Sequence, residues 1–228
     1  MIEKLSRTVA SGAVEGLGWR YLLGTLVTSV AVKGMSQGVQ VADAAAHACG
    51  DVADKHLTVH VRADRVELTL QSVRVDGVTE LDVELARLTS DAVRGLGLST
   101  GGERTGATRS MQMLEIAIDA MDIPKVLPFW RAVLQYENEP MYQEAPSALV
   151  DPARQGPAFW FQQMDTPRTQ RNRIHFDITV PHDEAEARIA AALAAGGTMV
   201  SDSAARAFWI LADPEGNEIC ICTWQDRD

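Results

Sequence analysis

The stretch Arg173-Ile-His-Phe-Asp-Ile-Thr-Val180 decides the fold of the second half of this chain. Polar residues alternate with apolar ones at period two, which is the pattern of a half-buried strand. His175 and Asp177 therefore share one face of the strand, and apolar residues fill the other. A helical pattern follows at residues 183–195. A Gly-Gly stop and two further strands come next, and the last turn of this region is Asp213-Pro-Glu-Gly-Asn217.

The same order of elements occurs once before. Residues 113–134 repeat the strand and the helix, with Glu115 in the position of His175. Leu149-Val-Asp-Pro152 then aligns with Leu211-Ala-Asp-Pro214. A repeat at nearly constant spacing determines the architecture before any single motif does. The sequence predicts two βαβββ units that face each other and form a curved sheet with a cup in the middle.

Four motifs in this half carry a family resemblance. They are Asp122-Ile-Pro-Lys-Val-Leu-Pro-Phe-Trp-Arg-Ala-Val-Leu134, Phe159-Trp-Phe-Gln-Gln163, Arg173-Ile-His-Phe-Asp177 and Ala212-Asp-Pro-Glu-Gly-Asn-Glu218. In this order and spacing they resemble the vicinal-oxygen-chelate family, which includes glyoxalases, bleomycin-resistance proteins and extradiol dioxygenases. The resemblance covers residues 111–224. It implies the paired βαβββ fold and a small organic molecule as the ligand.

The first half predicts a different α+β domain, with the order αββαββα. A helix is predicted over residues 36–53, with an N-cap at Ser36 and a buried stripe. The members of that stripe are Val39, Ala42, Ala46, Cys49 and Ala53. A hairpin follows, and the last helix starts at Thr79-Glu-Leu-Asp82, a signal like a capping box with Asp in place of Glu.

This half resembles pterin-4a-carbinolamine dehydratase through Ala53-Asp-Lys-His-Leu57 and Asp76-Gly-Val-Thr-Glu-Leu-Asp82. The resemblance implies a pterin site built from a His-His-Pro run and a later histidine. Here the run has become Lys55-His56-Leu57, and Val73 stands at the later position. Valine cannot take a proton, and lysine at its ordinary pKa is a poor base at pH 7. We therefore expect a vestigial pterin site, in a domain that serves as a structural or dimerising module, with a homodimer as one resulting assembly.

A polar segment rich in Gly, Ser and Thr separates the two halves. It has no periodicity, which is typical of a linker. The sequence thus predicts a dehydratase-like domain at residues 1–96, a linker at residues 97–110 and a vicinal-oxygen-chelate domain at residues 111–228.

The charge and the cysteine content of the chain limit the expected classes of binding partner and the expected cellular setting. A net charge of −10 without any Lys/Arg cluster argues against nucleic acid and anionic membranes. No apolar run is long enough to span a bilayer. Three cysteines are too few for a disulfide framework, so a reduced, cytoplasmic setting is expected.

The resemblance places the metal-ligand positions of the second domain on Glu115, His175 and Cys220, with Trp160 or Gln162 as the fourth. Glu, His and Cys would suit zinc, the less favoured alternative. The favoured expectation is a site without metal or other cofactor. In that case Glu115 and His175 face each other as an acid/base pair.

Further residues are assigned around that pair. Asp119 and Asp177 are the next catalytic candidates, because period two places them on the same faces. The expected substrate-binding wall consists of Trp130, Trp160, Gln162, Phe208, Trp209 and Cys220, of which the aromatic residues suit a flat or apolar ligand. Three functions stay open: an acid/base enzyme for dehydration, isomerisation or cyclisation, a non-catalytic binding or resistance protein, and a residual pterin dehydratase.

Overall fold

The computed structural model describes residues 3–101, 112–139, 147–170 and 174–226. The chain divides into two compact units, Met1–Met113 (unit 1) and Leu114–Asp228 (unit 2). Each combines helices with four-stranded sheets, which confirms the predicted α+β class. The start of the predicted linker is attached to unit 1, where Gly101 N–H donates to Thr28 Oγ1 at 2.9 Å. Residues 102–110 of that segment lie outside the described residues.

Unit 1 has the predicted order αββαββα with one extra helical turn. Its elements are α1 (Arg7–Ala13), β1 (Arg20–Leu22), β2 (Thr25–Ala31), α2 (Met35–Cys49), α3 (Ala53–His56), β3 (Leu57–Val61), β4 (Arg65–Leu70) and α4 (Glu80–Gly95). The strands form an antiparallel sheet in the order β1-β2-β4-β3. Val66, Leu68 and Leu70 of β4 alternate with half-exposed residues, so one face of the sheet packs against α2 and α4.

Helix α2 presents to the core a stripe that shares only Cys49 with the one predicted. Its buried residues are Gly38, Val41, Ala45 and Cys49. Val39, the predicted first member, is 57% exposed, and the predicted N-cap Ser36 lies inside the helix, which Gly34 precedes. A Cβ atom at position 38 would stand 2.7 Å from Cγ1 of Val61. The helix can approach the strand this closely only with the face that contains Gly38 turned towards it. The hydrophobicity of the side chains alone does not predict which face of the helix this is.

Unit 2 consists of two βαβββ repeats, as predicted. The first contains β5 (Glu115–Ala120), α5 (Ile123–Leu134), β6 (Glu137–Asn138), β7 (Ala148–Val150) and β8 (Ala158–Gln163). The second contains β9 (Phe176–Thr179), α6 (Ala185–Ala194), β10 (Thr198–Ser201), β11 (Phe208–Ala212) and β12 (Glu218–Cys222). The sheet orders, β5-β8-β7-β6 and β9-β12-β11-β10, are equivalent.

The register of the sheets supports the internal repeat residue by residue. In the first parallel pair of strands, Ala117 lies opposite Trp160, and in the second, Asp177 lies opposite Cys220. Each residue of the second pair follows its counterpart by 60 positions. The two sheets therefore place corresponding side chains on corresponding faces. The orientation of a residue in one repeat can thus be predicted from the equivalent residue in the other.

The core of unit 2 lies between α5, α6 and one face of the sheets. Trp130 of α5 is fully buried and stacks on Phe159, with ring centroids 5.7 Å apart. Its indole Nε1–H donates to Asp213 Oδ2 at 2.9 Å. Within the described ranges of both units, no helix has the length and apolar character that crossing a membrane requires.

Candidate functional site

The face of the unit 2 sheets that points away from α5 and α6 carries most of the predicted site residues; we call it the helix-free face. Residues opposite each other in register point to the same side of a sheet. Because Ile118 and Phe159 point into the helical core, their strand neighbours point the other way. The predicted residues on the helix-free face are Glu115, Asp119, Trp160, Gln162, Asp177, Phe208 and Cys220.

Strand β5 separates two of the predicted catalytic carboxylates. Glu115 begins the strand opposite Ala158, and Asp119 lies near its end opposite Gln162. Four residues of extended chain separate the two side chains by ~13 Å. Trp160 stands between them and is 36% exposed. Glu115 and Asp119 therefore cannot act on the same reacting atom, although both lie on the helix-free face.

Strands β9 and β12 bring two predicted residues into contact. Asp177 lies opposite Cys220 in register, so the two side chains are neighbours on the same face of the sheet. Burial, together with the smaller effect of the neighbouring Asp177 carboxylate, raises the pKa of the Cys220 thiol from 9.0 to about 12. Cys220 is therefore a neutral thiol at pH 7, whereas thiolate is the form that attacks electrophiles and binds metals. His175 is exposed and comes one residue before β9 begins.

The tryptophans Trp130 and Trp209 correct the predicted ligand wall. Trp130 is 0% exposed in the helical core and cannot contact a ligand in this conformation. Trp209 lies opposite Ile221 and next to Phe208 in β11. Its side chain therefore points away from the helix-free face and packs against the same core. Period two assigns strand residues to two faces, but only the packing of the helices decides which face is the inner one.

The structure does not bring together the residues of the zinc site that was the alternative from the sequence. Across the described part of the chain, no three His, Cys, Asp or Glu side chains lie close enough together to hold a metal ion. Glu115, His175 and Cys220 therefore do not form the zinc site considered from the sequence. The residues present do not fit the metal that the family resemblance implies.

A cavity of about 330 Å³ lies elsewhere in unit 2. It is formed where the end of β5, the first turn of α5, the segment after β8 and the turn between β11 and β12 meet. Its lining residues are Asp119, Met121, Asp122, Lys125, Met164, Pro167, Arg168, Gln170, Glu215, Gly216 and Asn217. Of the predicted site residues only Asp119 belongs to it. Sequence reasoning missed the cavity because its walls come from segments nearly a hundred residues apart.

The structure also describes the three residues of the vestigial pterin site in unit 1. His56, at the end of α3, has a side chain that is 10% exposed, and its Nδ1 lies 2.7 Å from Oδ1 of the fully buried Asp82. Oδ2 of Asp82 accepts hydrogen bonds from the backbone N–H and the hydroxyl of Thr79, both at 2.7 Å. Lys55 and Val73 are exposed. The remaining histidine is thus tied to the start of α4 through the predicted Thr79–Asp82 cap.

The raised pKa of Cys220 gives a direct chemical prediction. At pH 8 the thiolate of Cys220 should be about a thousandfold scarcer than that of a thiol with pKa 9. Native protein should therefore resist iodoacetamide at Cys220, while urea-unfolded protein should react readily, as judged by tandem mass spectrometry of the peptide containing Cys220 and Cys222. Equal rates in both states would contradict the buried, protonated thiol. Cys220 loses its proton at a lower pH in the unfolded protein than in the folded protein. The Cys220 thiol should therefore also lower the free energy of unfolding as pH rises from 9 towards 12.

Two family models match the chain. Residues 115–222 match a glyoxalase-like domain, and residues 3–92 match pterin 4 alpha carbinolamine dehydratase. No curated protein matches the sequence significantly. Together the two domain matches support an enzyme-like or small-molecule-binding role.

Solved structures resemble each half. A transcriptional coactivator/pterin dehydratase from Brucella melitensis is 28% identical, with 40% of this chain and 98% of that chain covered and a TM-score of 0.35. A glyoxalase/bleomycin resistance protein from Albidiferax ferrireducens T118 is 22% identical, with 50% and 98% covered and a TM-score of 0.38. A glyoxalase-related enzyme from Fulvimarina pelagi is 14% identical, with 50% and 88% covered and a TM-score of 0.39. On the two family-model matches, the chain joins a pterin-4a-carbinolamine dehydratase-like domain to a glyoxalase-like domain of the vicinal-oxygen-chelate type.

Proposed function

We propose that unit 2 is a small-molecule enzyme that performs acid/base chemistry on the helix-free face without a metal ion. The observation that carries the proposal is the pair formed by Asp177 and the protonated Cys220. A protonated thiol beside a carboxylate offers that carboxylate a hydrogen-bond donor that would orient it, as general acid/base catalysis requires. The reaction class is proton transfer that leads to dehydration, isomerisation or cyclisation.

The roles follow from position on the two repeats. Asp177 is the oriented carboxylate, and the exposed His175, two residues earlier in the sequence, is the second proton carrier. Glu115 takes the position equivalent to His175 in the first repeat, and Trp160 offers an exposed aromatic surface to a flat ligand. Asp119 is left out of this set, since it lies ~13 Å from Glu115 along the strand.

The test separates binding from conversion. Purified protein is screened by thermal shift against a library of aromatic and carbonyl-containing small molecules, and each binder is then incubated with the protein and followed by liquid chromatography–mass spectrometry. Asp177→Asn and His175→Ala should each lower conversion of a hit by 10²-fold or more while the thermal shift is retained. Trp160→Ala should instead weaken the thermal shift. Glu186→Gln, an exposed carboxylate on α6, is the matched control and should change neither.

The outcomes discriminate between the functions. Conversion that depends on Asp177 and His175 supports the enzyme. Binders that are never converted, or conversion that survives both substitutions, overturn it. The first of these results would favour the sequestering, resistance-type function that was the alternative from the sequence.

For unit 1 we propose a structural or dimerising role without dehydratase activity. The substitutions at Lys55 and Val73 support this, as does the engagement of His56 by Asp82. Turnover of a pterin 4a-carbinolamine, lost in His56→Ala, would instead identify a residual dehydratase. The three cysteines are buried and form no disulfide, which fits the proposed reducing, cytoplasmic setting.

A further inference from the structure

The cavity at the end of β5 has a floor that is fixed by hydrogen bonds. Asp213, which is 2% exposed, accepts at Oδ1 from the backbone N–H groups of Glu215 and Asn217, both at 2.9 Å. The Glu215 carboxylate then reaches across to the first repeat and accepts from the N–H groups of Met121 and Asp122 at 2.8 and 2.7 Å. The turn between β11 and β12 is thereby fastened to the start of α5, so the cavity is preformed.

Two of the three carboxylates on the wall are already engaged. Glu215 accepts the two N–H groups just described, and Asp122 Oδ1 caps α5 by accepting from the N–H of Lys125 at 3.2 Å. Asp119 is exposed and makes no hydrogen bond to any residue in the described ranges. It is therefore the one carboxylate of the cavity wall that remains available to a ligand.

The cavity wall also carries two cationic side chains, Lys125 and Arg168. Among the described residues, neither Lys125 nor Arg168 forms an ion pair with a carboxylate, so their charges are not neutralised there. A purely anionic ligand would meet these two cations but also three carboxylates. A ligand that carries both charges would match the available groups of both signs.

We propose that this cavity binds a small aminocarboxylate, the zwitterionic backbone of an amino acid or a close analogue. Lys125 and Arg168 receive the carboxylate, and Asp119 receives the ammonium group. Met121, Met164 and Pro167 supply apolar contacts for an uncharged side chain. The volume of about 330 Å³ is at the small end of ligand pockets, which suits a molecule of this size. The site is independent of the chemistry proposed at Asp177.

The probes are matched pairs that differ only in the amino group. Isothermal titration calorimetry of the full chain with L-phenylalanine and hydrocinnamate, and with L-leucine and isocaproate, measures what the ammonium group contributes. We expect each amino acid to bind at least about tenfold more tightly than its des-amino partner, since a charge-assisted hydrogen bond to a carboxylate has about this strength.

Three substitutions identify the groups that bind. Asp119→Asn should reduce the ratio between amino acid and des-amino acid to about one, while Lys125→Gln and Arg168→Gln should weaken both members of a pair by roughly tenfold. Arg131→Gln, an exposed cation farther along α5, and Asp183→Asn, an exposed carboxylate before α6, are controls and should bind like the wild type. Asp177→Asn should also bind like the wild type, so a failure of the proposed catalysis is distinguishable from a failure here.

Several results would overturn the proposal. These are no binding of either amino acid by the folded protein, equal binding of amino and des-amino partners by the wild type, and a selectivity that Asp119→Asn leaves intact. Circular dichroism of each variant confirms that the fold is retained, which is expected because all three substituted side chains are exposed.

Discussion

Replacing Asp213 with alanine should destabilise unit 2 by roughly 4 kcal/mol, the largest effect expected from any single polar side chain that the structure describes. Asp213 accepts four hydrogen bonds: two from the backbone of its own turn, one from the Asn217 amide and one from the Trp130 indole. Without the carboxylate, the buried Trp130 N–H and the Asn217 amide lose their shared acceptor. Urea unfolding followed by hydrogen exchange of unit 2 peptides measures the loss.

The internal repeat supplies the matched control. Asp151 occupies the corresponding Asp-Pro turn of the first repeat, where its carboxylate accepts from the backbone N–H groups of Ala153, Gln155 and Gly156. These three donor residues are exposed, so Asp151→Ala should cost about 1 kcal/mol. In Trp130→Phe, Asp213→Ala should cost less, because the indole donor is already gone. Equal losses for the two aspartates would contradict the coupling of Asp213 to the core.

Replacing Asp82 with alanine should destabilise unit 1 by roughly 3 kcal/mol. The substitution removes the acceptor for the N–H and hydroxyl of Thr79 at the start of α4 and leaves the imidazole of His56 without its partner. Both losses occur at a side chain with no exposed surface. The expected result is a lower urea midpoint and faster hydrogen exchange in the first turn of α4.

A carboxylate on the same helix provides the comparison. Glu84 forms an exposed pair with Arg87, so Glu84→Ala should cost less than about 1 kcal/mol. A double-mutant cycle between His56→Ala and Asp82→Ala isolates the His–Asp interaction from the loss of the cap. A coupling energy near zero would mean that Asp82 acts only as a helix cap and that the contact with His56 is incidental.

Local sequence patterns were sufficient to predict most of the architecture. The alternation around His175 and its repeat around Glu115 predicted both βαβββ units, because side chains in a strand alternate between faces whatever surrounds them. The spacing of Thr79 and Asp82 likewise predicted the start of α4, since a capping interaction spans a single helical turn. These features depend on residues close together in sequence, so they can be recognised without knowing the tertiary fold.

Tertiary packing decided which chemical groups meet. Alternation placed Trp209 on one of two faces, but the position of the helices made that face the core, and the stripe of α2 was fixed by the close approach at Gly38. The contact of Asp177 with Cys220 required the register of two strands more than forty residues apart. The cavity joins Asp119 and Arg168 from the first repeat to a turn of the second. Sequence pattern specifies how each element presents its side chains, whereas the distances between elements arise only when the whole core packs.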